Sequence, residues 1–416
     1  MAGVALAAPL AHASDRAYAP GEVVAKLKGH PREHDVTLPA GITVPQAVRQ
    51  LRASPGVAYA NPNYLATAAD AWTPNDPGHG QGWSADQWNF LSPGGVNFGG
   101  ASIQGAWQHA RDAGVPGGRG ITVAVLDTGV AYRTKGRYSR DPDLPPITRF
   151  VKPKDFVDGD LLPLDENGHG THVASTIAQA TDNARGLTGV AYGSTVMPVR
   201  VLNRQEMGTA SNVARGIQYA VQQGADVINL SLEFKPAVKQ CSQIPGVCAA
   251  VQTAVSHGVV VVAAAGNHHQ APVAFPARAG AAIAVGASTY RGCLADYSDY
   301  GTGLDLVAPG GGKDTSANTQ NLHCNPALPA YLIRQYSLDR QAAAQGMFKK
   351  FGIFGLEGTS MAAAHVSGVA ALLLAEGWPA NKVAKRLENC ATLPGSKTYY
   401  GAGLLDAAAA TSAGGC

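Results

Sequence analysis

The sequence is poor in charge. Lys, Arg, Asp and Glu together make 15% of its 416 residues, and the formal net charge is +3. A nucleic-acid surface shows clustered Lys and Arg, so no nucleic-acid partner is expected. Long hydrophobic runs are missing too. None reaches the ~18 residues of a membrane span, and no membrane partner is expected. The longest runs, 259–265 and 369–375, have the length of buried core elements. The six cysteines, at 241, 248, 293, 324, 390 and 416, include no C-x-x-C pair. A zinc knuckle and a dithiol redox motif are therefore disfavoured. What is abundant is apolar residues, at 45%, and glycine, at 50 residues. Together they offer a sizeable core and many tight turns.

The even cysteine count suits an oxidising compartment. Pairing by sequence neighbourhood gives Cys241–Cys248, Cys293–Cys324 and Cys390–Cys416, one of many connectivities that six cysteines allow. Residues 1–14 are small and apolar and contain Ala11-His12-Ala13. This resembles the end of a secretory signal without its basic start, so a signal-peptide remnant and a secreted, extracellular protein are expected.

The chain changes character near residue 70. Residues 22–28 alternate like a strand, 44–53 have helical spacing, and 57–64 read as a second strand. Residues 66–82 have the Ala, Pro, Asn, Asp and Gly content of a linker. From residue 121 a different rhythm appears. Short β-branched runs at 121–126, 196–202, 227–232, 259–264 and 283–285 alternate with helical stretches at 169–180, 211–223 and 248–257. That alternation predicts a parallel α/β sheet with helices on both faces. Residues 310–356 fit no element clearly, although 334–351 have the makings of a helix.

In such sheets ligand sites gather at the carboxyl ends of strands. Asp127 ends the first strand, in Val123-Ala-Val-Leu-Asp-Thr-Gly129. Asn267 ends another, in Ala265-Gly266-Asn267. His169 lies between glycines in Gly168-His-Gly-Thr-His-Val-Ala174. Glycine on either side allows close approach by another segment. A strand-end Asp holds a His in one tautomer, and that His then takes a proton from a hydroxyl. Ser360 supplies a hydroxyl in Gly358-Thr-Ser-Met-Ala-Ala-Ala-His-Val-Ser-Gly368. By itself Ser360 reads as a helix cap. At a helix start it also stands where backbone N–H groups face a developing oxyanion.

These motifs, in the order Asp, His, Ser, resemble those of the subtilisin-like serine proteases, the subtilases. The resemblance spans roughly residues 75–412. It implies a subtilisin-like α/β fold and a serine endopeptidase that makes an acyl-enzyme. Ser360 would be the nucleophile and His169 the general base. Asp127 would orient the imidazole, and Asn267 would donate in the oxyanion hole. The family's substrate-lining stretch corresponds to Ser231-Leu232-Glu233-Phe234 and departs from the usual Ser-Leu-Gly-Gly at the last two positions. Gly208, Ser231, Leu232, Glu233 and Gly266 are the expected substrate-binding residues. Glu233 introduces a negative charge that favours Lys or Arg before the cut. Extended protein or peptide substrates, broad specificity and a monomer are expected. Ala364 stands where the family usually has proline. Its effect should be a normal helix, since alanine is the best helix former.

Residues 15–72 resemble the inhibitory propeptides of subtilases, a small α+β domain that chaperones and then blocks its own protease until self-cleavage. The catalytic domain would then be 73–416, with an insertion at about 310–357. The resemblance also implies structural calcium. Asp76, Asp143 and Asn183 match one site, and Asp155 and Asp160 suggest a second. Two readings compete. One is a catalytically silent subtilase-like binding protein. The other is a metal-dependent hydrolase using His169 and His172.

Overall fold

The computed structural model describes residues 18–39, 41–64, 72–316, 323–392, 394–414 and 416. The expected signal remnant at 1–14 and residues 65–71, in the last part of the expected propeptide, lie outside the described residues.

The chain forms two compact units, divided between residues 70 and 71. The first holds strands β1 (Tyr18–Leu27), β2 (Glu33–Thr37) and β3 (Val57–Tyr64) and helix α1 (Val44–Ala53). The strands form an antiparallel sheet in the order β2-β1-β3. The helix buries Val44, Ala47 and Val48 against Val23, Ala25 and Ala60 of the sheet. These positions on α1 lie three and four apart, on one face. Gln46 Oε1 accepts from the Thr43 N–H at 3.0 Å and satisfies one donor of the helix start.

The second unit is built on a seven-stranded sheet in the order β10-β9-β8-β7-β4-β6-β5. Its members are β4 (Thr122–Asp127), β5 (Lys154–Asp155), β6 (Thr195–Arg200), β7 (Val227–Leu230), β8 (Val260–Ala264), β9 (Ile283–Ser288) and β10 (Leu306–Pro309). Every neighbouring pair is parallel. Alternate residues serve opposite cores, as strand geometry requires. Val123 and Val125 pack with helices α2 (Ile103–Asp112), α3 (His169–Ala178) and α6 (Thr359–Ala375). Ala124 and Leu126 pack on the other face with α4 (Ala210–Gln222) and α5 (Pro245–Ser256). Helix α6 is almost wholly buried. An apolar helix all round is a core helix. Among the described residues no single helix is long and apolar enough to cross a membrane.

After β4 the chain adds strands on one side, then returns to place β7 on the other. Such a switch opens a crevice at the carboxyl ends of the strands. The order of strands therefore brings Asp127 to the crevice.

Three sequence expectations give way. Residues 334–351 are not one helix: β11 (Ile333–Leu338) and β12 (Phe351–Leu356) form an antiparallel hairpin around a short helix, Arg340–Ala344. The burial of Ile333, Gln335 and Ser337 with exposure of Arg334 shows the two-residue period. The hairpin packs on α3, where Ile333 O lies 3.1 Å from His172 Nε2 and Ser175 Oγ donates to Tyr336 O. Residues 72–82 are no linker either. They belong to the second unit, and Asp76 is buried there, accepting from the Asp182 and Asn183 N–H groups. Turn-rich composition is shared by linkers and by packed ligating loops. The helix cap expected at Ser360 lies two residues earlier, at Gly358, so Ser360 is the second residue of the helix.

The cysteines pair as Cys241–Cys248, Cys293–Cys324 and Cys390–Cys416. Sequence neighbourhood had suggested the same three pairs.

Candidate active site

Asp127 ends β4 with its side chain fully buried. Its Oδ1 lies 2.8 Å from His169 Nδ1 and accepts the Thr128 N–H at 2.7 Å. His169 opens α3, which needs glycine on both sides. At Gly168, φ is +103° and a Cβ would meet Leu338 O at 2.8 Å. At Gly170, a Cβ would stand 2.2 Å from Gly129 O and 3.0 Å from Asp127 Oδ1.

A residue the sequence reading missed, Asp165, ties this corner together. It accepts from Thr128 Oγ1, from the Asn167, Gly168 and Thr171 N–H groups and from Thr171 Oγ1. Its bond to the Asn167 N–H, two residues on, is the Asx-turn pattern of an Asp in a turn, the local signal that could have found it.

Burial pulls the His169 pKa down, but the charge and hydrogen bond of Asp127 outweigh it, and the net shift is upward. His172 behaves differently. It is fully buried, turned to Ile333 O, and pushed down to about 3 by burial. With His169 Nδ1 committed to Asp127 and His172 turned to the hairpin, the two imidazoles do not form a metal pair. His365 is likewise buried between Met361 O and Asn89.

Ser360 stands at the second position of α6, with Gly358 as the cap. Its hydroxyl donates to Ser231 O at 3.3 Å, and its own carbonyl accepts from Ser231 Oγ at 2.8 Å. Asn267 Oδ1 accepts from the Thr359 N–H and hydroxyl at 2.9 and 3.0 Å. This fixes the amide and leaves its Nδ2 donor for another acceptor. Ala364 is fully buried inside an unbroken helix.

A cavity of about 470 Å³ joins these parts. His169, Ser360 and Asn267 line it together with Gly208, Ser231, Leu232 and Glu233. Gly266 is not in the lining; a Cβ there would collide with Asp299 and Glu233. Glu233 is half-buried in the wall and accepts the Asn267 N–H at 3.2 Å. Burial raises its carboxyl pKa, and the charge of Asp299 adds to that.

Of the two expected calcium sites, one fits and one does not. Asp76 and Asp143 are both buried, and neither makes an ion pair among the described residues. Burial holds both carboxyls up, Asp143 to about 7, and the Asp76 charge adds to the rise at Asp143. Asn183 Nδ2 donates to Asp143 at 2.9 Å, and the 181–187 loop bonds both acids through its N–H groups. Two buried carboxylates without a cationic partner, beside a loop with carbonyl oxygens, suit a hard cation; to join them as a ligand, Asn183 would turn its Oδ1 inward from the Arg185 N–H.

At the other loop, Asp155 is already neutralised. Its Oδ2 lies 2.9 Å from the buried Arg200 guanidinium, which also holds Asp158 and Glu166. Asp155 Oδ1 accepts two backbone N–H groups, and Asp160 Oδ1 accepts the Leu162 N–H. An arginine occupies the place a cation would take, so Asp155 and Asp160 are withdrawn as metal ligands.

The family model described as the Subtilase family matches residues 118–403. The chain is 35% identical to the Thermophilic serine proteinase of Bacillus sp. (strain AK1) over 358 residues, 86% of this chain and 73% of that protein. It is 37% identical to Subtilisin Savinase of Lederbergia lenta over 296 residues, 71% of this chain and 91% of that protein. Among solved structures, one described as a protease of Pseudoalteromonas arctica PAMC 21717 is similar, with a TM-score of 0.64 at 30% identity. It covers 82% of this chain and 99% of that one.

Proposed function

Since the chain belongs to the Subtilase family of serine endopeptidases, we propose that it cuts peptide bonds through Asp127, His169 and Ser360. The observation that carries this reading is one cavity lined by His169, Ser360 and Asn267, with Asp127 held against the far nitrogen of the imidazole. When substrate binds, the Ser360 hydroxyl leaves Ser231 O and donates to His169 Nε2. Its oxygen attacks the scissile carbonyl, and His169 receives the proton. The carbonyl oxygen, now negative, is met by Asn267 Nδ2 and the Ser360 N–H at the start of α6. Collapse expels the amine, which takes the proton back from His169. A water then repeats the sequence on the acyl-enzyme. Asp127 stabilises the imidazolium and holds it in place.

Labelling tests this directly. A fluorophosphonate probe should attach to the protein at Ser360, mapped by peptide mass, and should leave Ser360→Ala unlabelled. Absence of labelling, with hydrolysis abolished by chelators alone, would instead favour metal-dependent hydrolysis. No labelling and no hydrolysis would favour a silent binding protein.

Substrate lies extended between 206–208 and 230–232, so main-chain hydrogen bonds supply much of the affinity and specificity is broad. Glu233 lends the pocket a charge that favours Lys or Arg before the cut. Its place in the cavity wall supports this. In a peptide-library profile, Glu233→Gln should lower the preference for basic over neutral residues about tenfold, the order of one partly desolvated charge pair. An unchanged profile would remove Glu233 from specificity.

The protein is proposed to be secreted, with 15–72 as a self-removed inhibitory propeptide and 73–416 as the monomeric protease. Three disulfides support an oxidising destination. Calcium is proposed at Asp76, Asp143 and Asn183, where it would offset two buried negative charges and brace the 181–187 loop. Its role there is structural. Chelator should lower the melting temperature by about 4 °C, from ~2.7 kcal/mol of binding at a hundredfold excess over Kd. Asp143→Asn should remove most of that sensitivity. Equal melting with and without chelator would exclude the site.

A further inference from the structure

Glu233, His268 and Asp299 come from three neighbouring segments at the carboxyl end of the sheet. Glu233 follows β7, His268 follows β8, and Asp299 lies between β9 and β10. His268 Nδ1 stands 3.2 Å from Glu233 Oε2. One ligand atom from each of the three lies within 4.8 Å of the others.

Asp299 is fully buried, and its orientation is set. Its Oδ1 accepts the His268 and Gln270 N–H groups, each at 3.0 Å. The other oxygen, Oδ2, is buried without any hydrogen-bond partner. A buried carboxylate oxygen left bare is costly, so a missing partner is indicated. Gly266 leaves the space. With φ at +117°, its absent Cβ would lie 2.2 Å from Asp299 Oδ2 and 2.7 Å from Glu233 Oε2. Any larger residue would drive the two oxygens apart. Burial raises both carboxyls, and among the described residues neither is paired with Lys or Arg. His268, with its side chain 41% exposed, leaves a route from solvent.

We propose that Glu233, His268 and Asp299 bind a divalent cation of the zinc class beside Asn267. One imidazole nitrogen with two carboxylate oxygens is a donor set for zinc and similar borderline metals, whereas calcium takes oxygens alone. Ligands about 2.0 Å from a tetrahedral metal lie about 3.3 Å apart, close to the His268–Glu233 separation. A bound cation would neutralise the carboxylate that Glu233 offers to a basic substrate side chain. This effect on cleavage rests on the protease reading above, but the site itself does not.

Equilibrium dialysis of the full chain against Zn2+ in calcium-free buffer, with metal content read by elemental analysis, separates the two. One zinc per chain is expected, with affinity weakened about tenfold or more in both His268→Gln and Asp299→Asn. His268→Gln changes an exposed side chain, so it keeps the test decisive if Asp299→Asn does not fold. No zinc uptake would overturn the proposal and leave a proton shared between Glu233 and Asp299 as the partner. Uptake unchanged in His268→Gln would overturn it too, and would place the metal elsewhere. Neither outcome depends on hydrolysis. In a second readout, Zn2+ should reduce cleavage after Lys and Arg in the wild type but not in His268→Gln.

Discussion

Ser360→Ala is expected to lower kcat for peptide hydrolysis by about 10⁶-fold, the order found when the nucleophile is removed from subtilisin, a relative of this protein. Nothing else in the cavity can replace the lost oxygen. Ser231 Oγ is the other hydroxyl in the cavity lining, and it is committed to Ser360 O while accepting from Asn229 Nδ2. Residual turnover over water should persist, because Asn267 and the start of α6 still meet the oxyanion. The same variant should keep residues 15–72 attached where the wild type sheds them, read by intact mass. A wild type that retains them under identical conditions would remove self-processing from the account. A kcat reduced less than about a hundredfold would remove Ser360 from the nucleophile's role, since that is the scale of an oxyanion donor.

Asp127→Asn should cost about 10⁴-fold at neutral pH, or about 5 kcal/mol of transition-state stabilisation. The geometry stays nearly the same, yet the amide presents a donor where the imidazole needs an acceptor, which favours the wrong tautomer. A pH profile distinguishes this role from a structural one. His169 works as a base when neutral, so activity falls as pH drops through its pKa. In the native site burial lowers that pKa, and Asp127 more than reverses the shift. Without the Asp127 charge, burial prevails, and the acidic limb of kcat/KM should move to lower pH. A limb that stays in place would mean that Asp127 does not set the ionisation of His169.

The sequence alone was enough to identify the family and much of the sheet. Asp127, His169, Asn267 and Ser360 each sit in local motifs whose residue types and neighbours are determined over a few positions. The β-branched runs locate the parallel strands because a strand buried on both faces is apolar along its whole length. Boundaries moved by a residue or a few, as at 227–232, where the strand ends at Leu230. The cysteine pairs, too, followed sequence neighbourhood.

Other features depended on residues far apart in the chain. Residues 334–351 looked helical, but burial of alternate side chains against α3 made a hairpin of their ends. The Asp155 loop looked acidic, until Arg200, 45 residues later, filled it with a positive charge. Residues 72–82 looked like a linker by composition, yet Asp76 is buried under the 181–187 loop, the partner the family resemblance had implied for it. Asp299 carried no local signal; only the convergence of the strand ends set it beside Glu233 and His268. The reason is the range of the forces involved. Backbone conformation and the reactivity of a motif are set within a turn or a strand. The partner of a buried charge is set by whichever distant segment the fold brings to it, and burial raises the cost of leaving that charge alone.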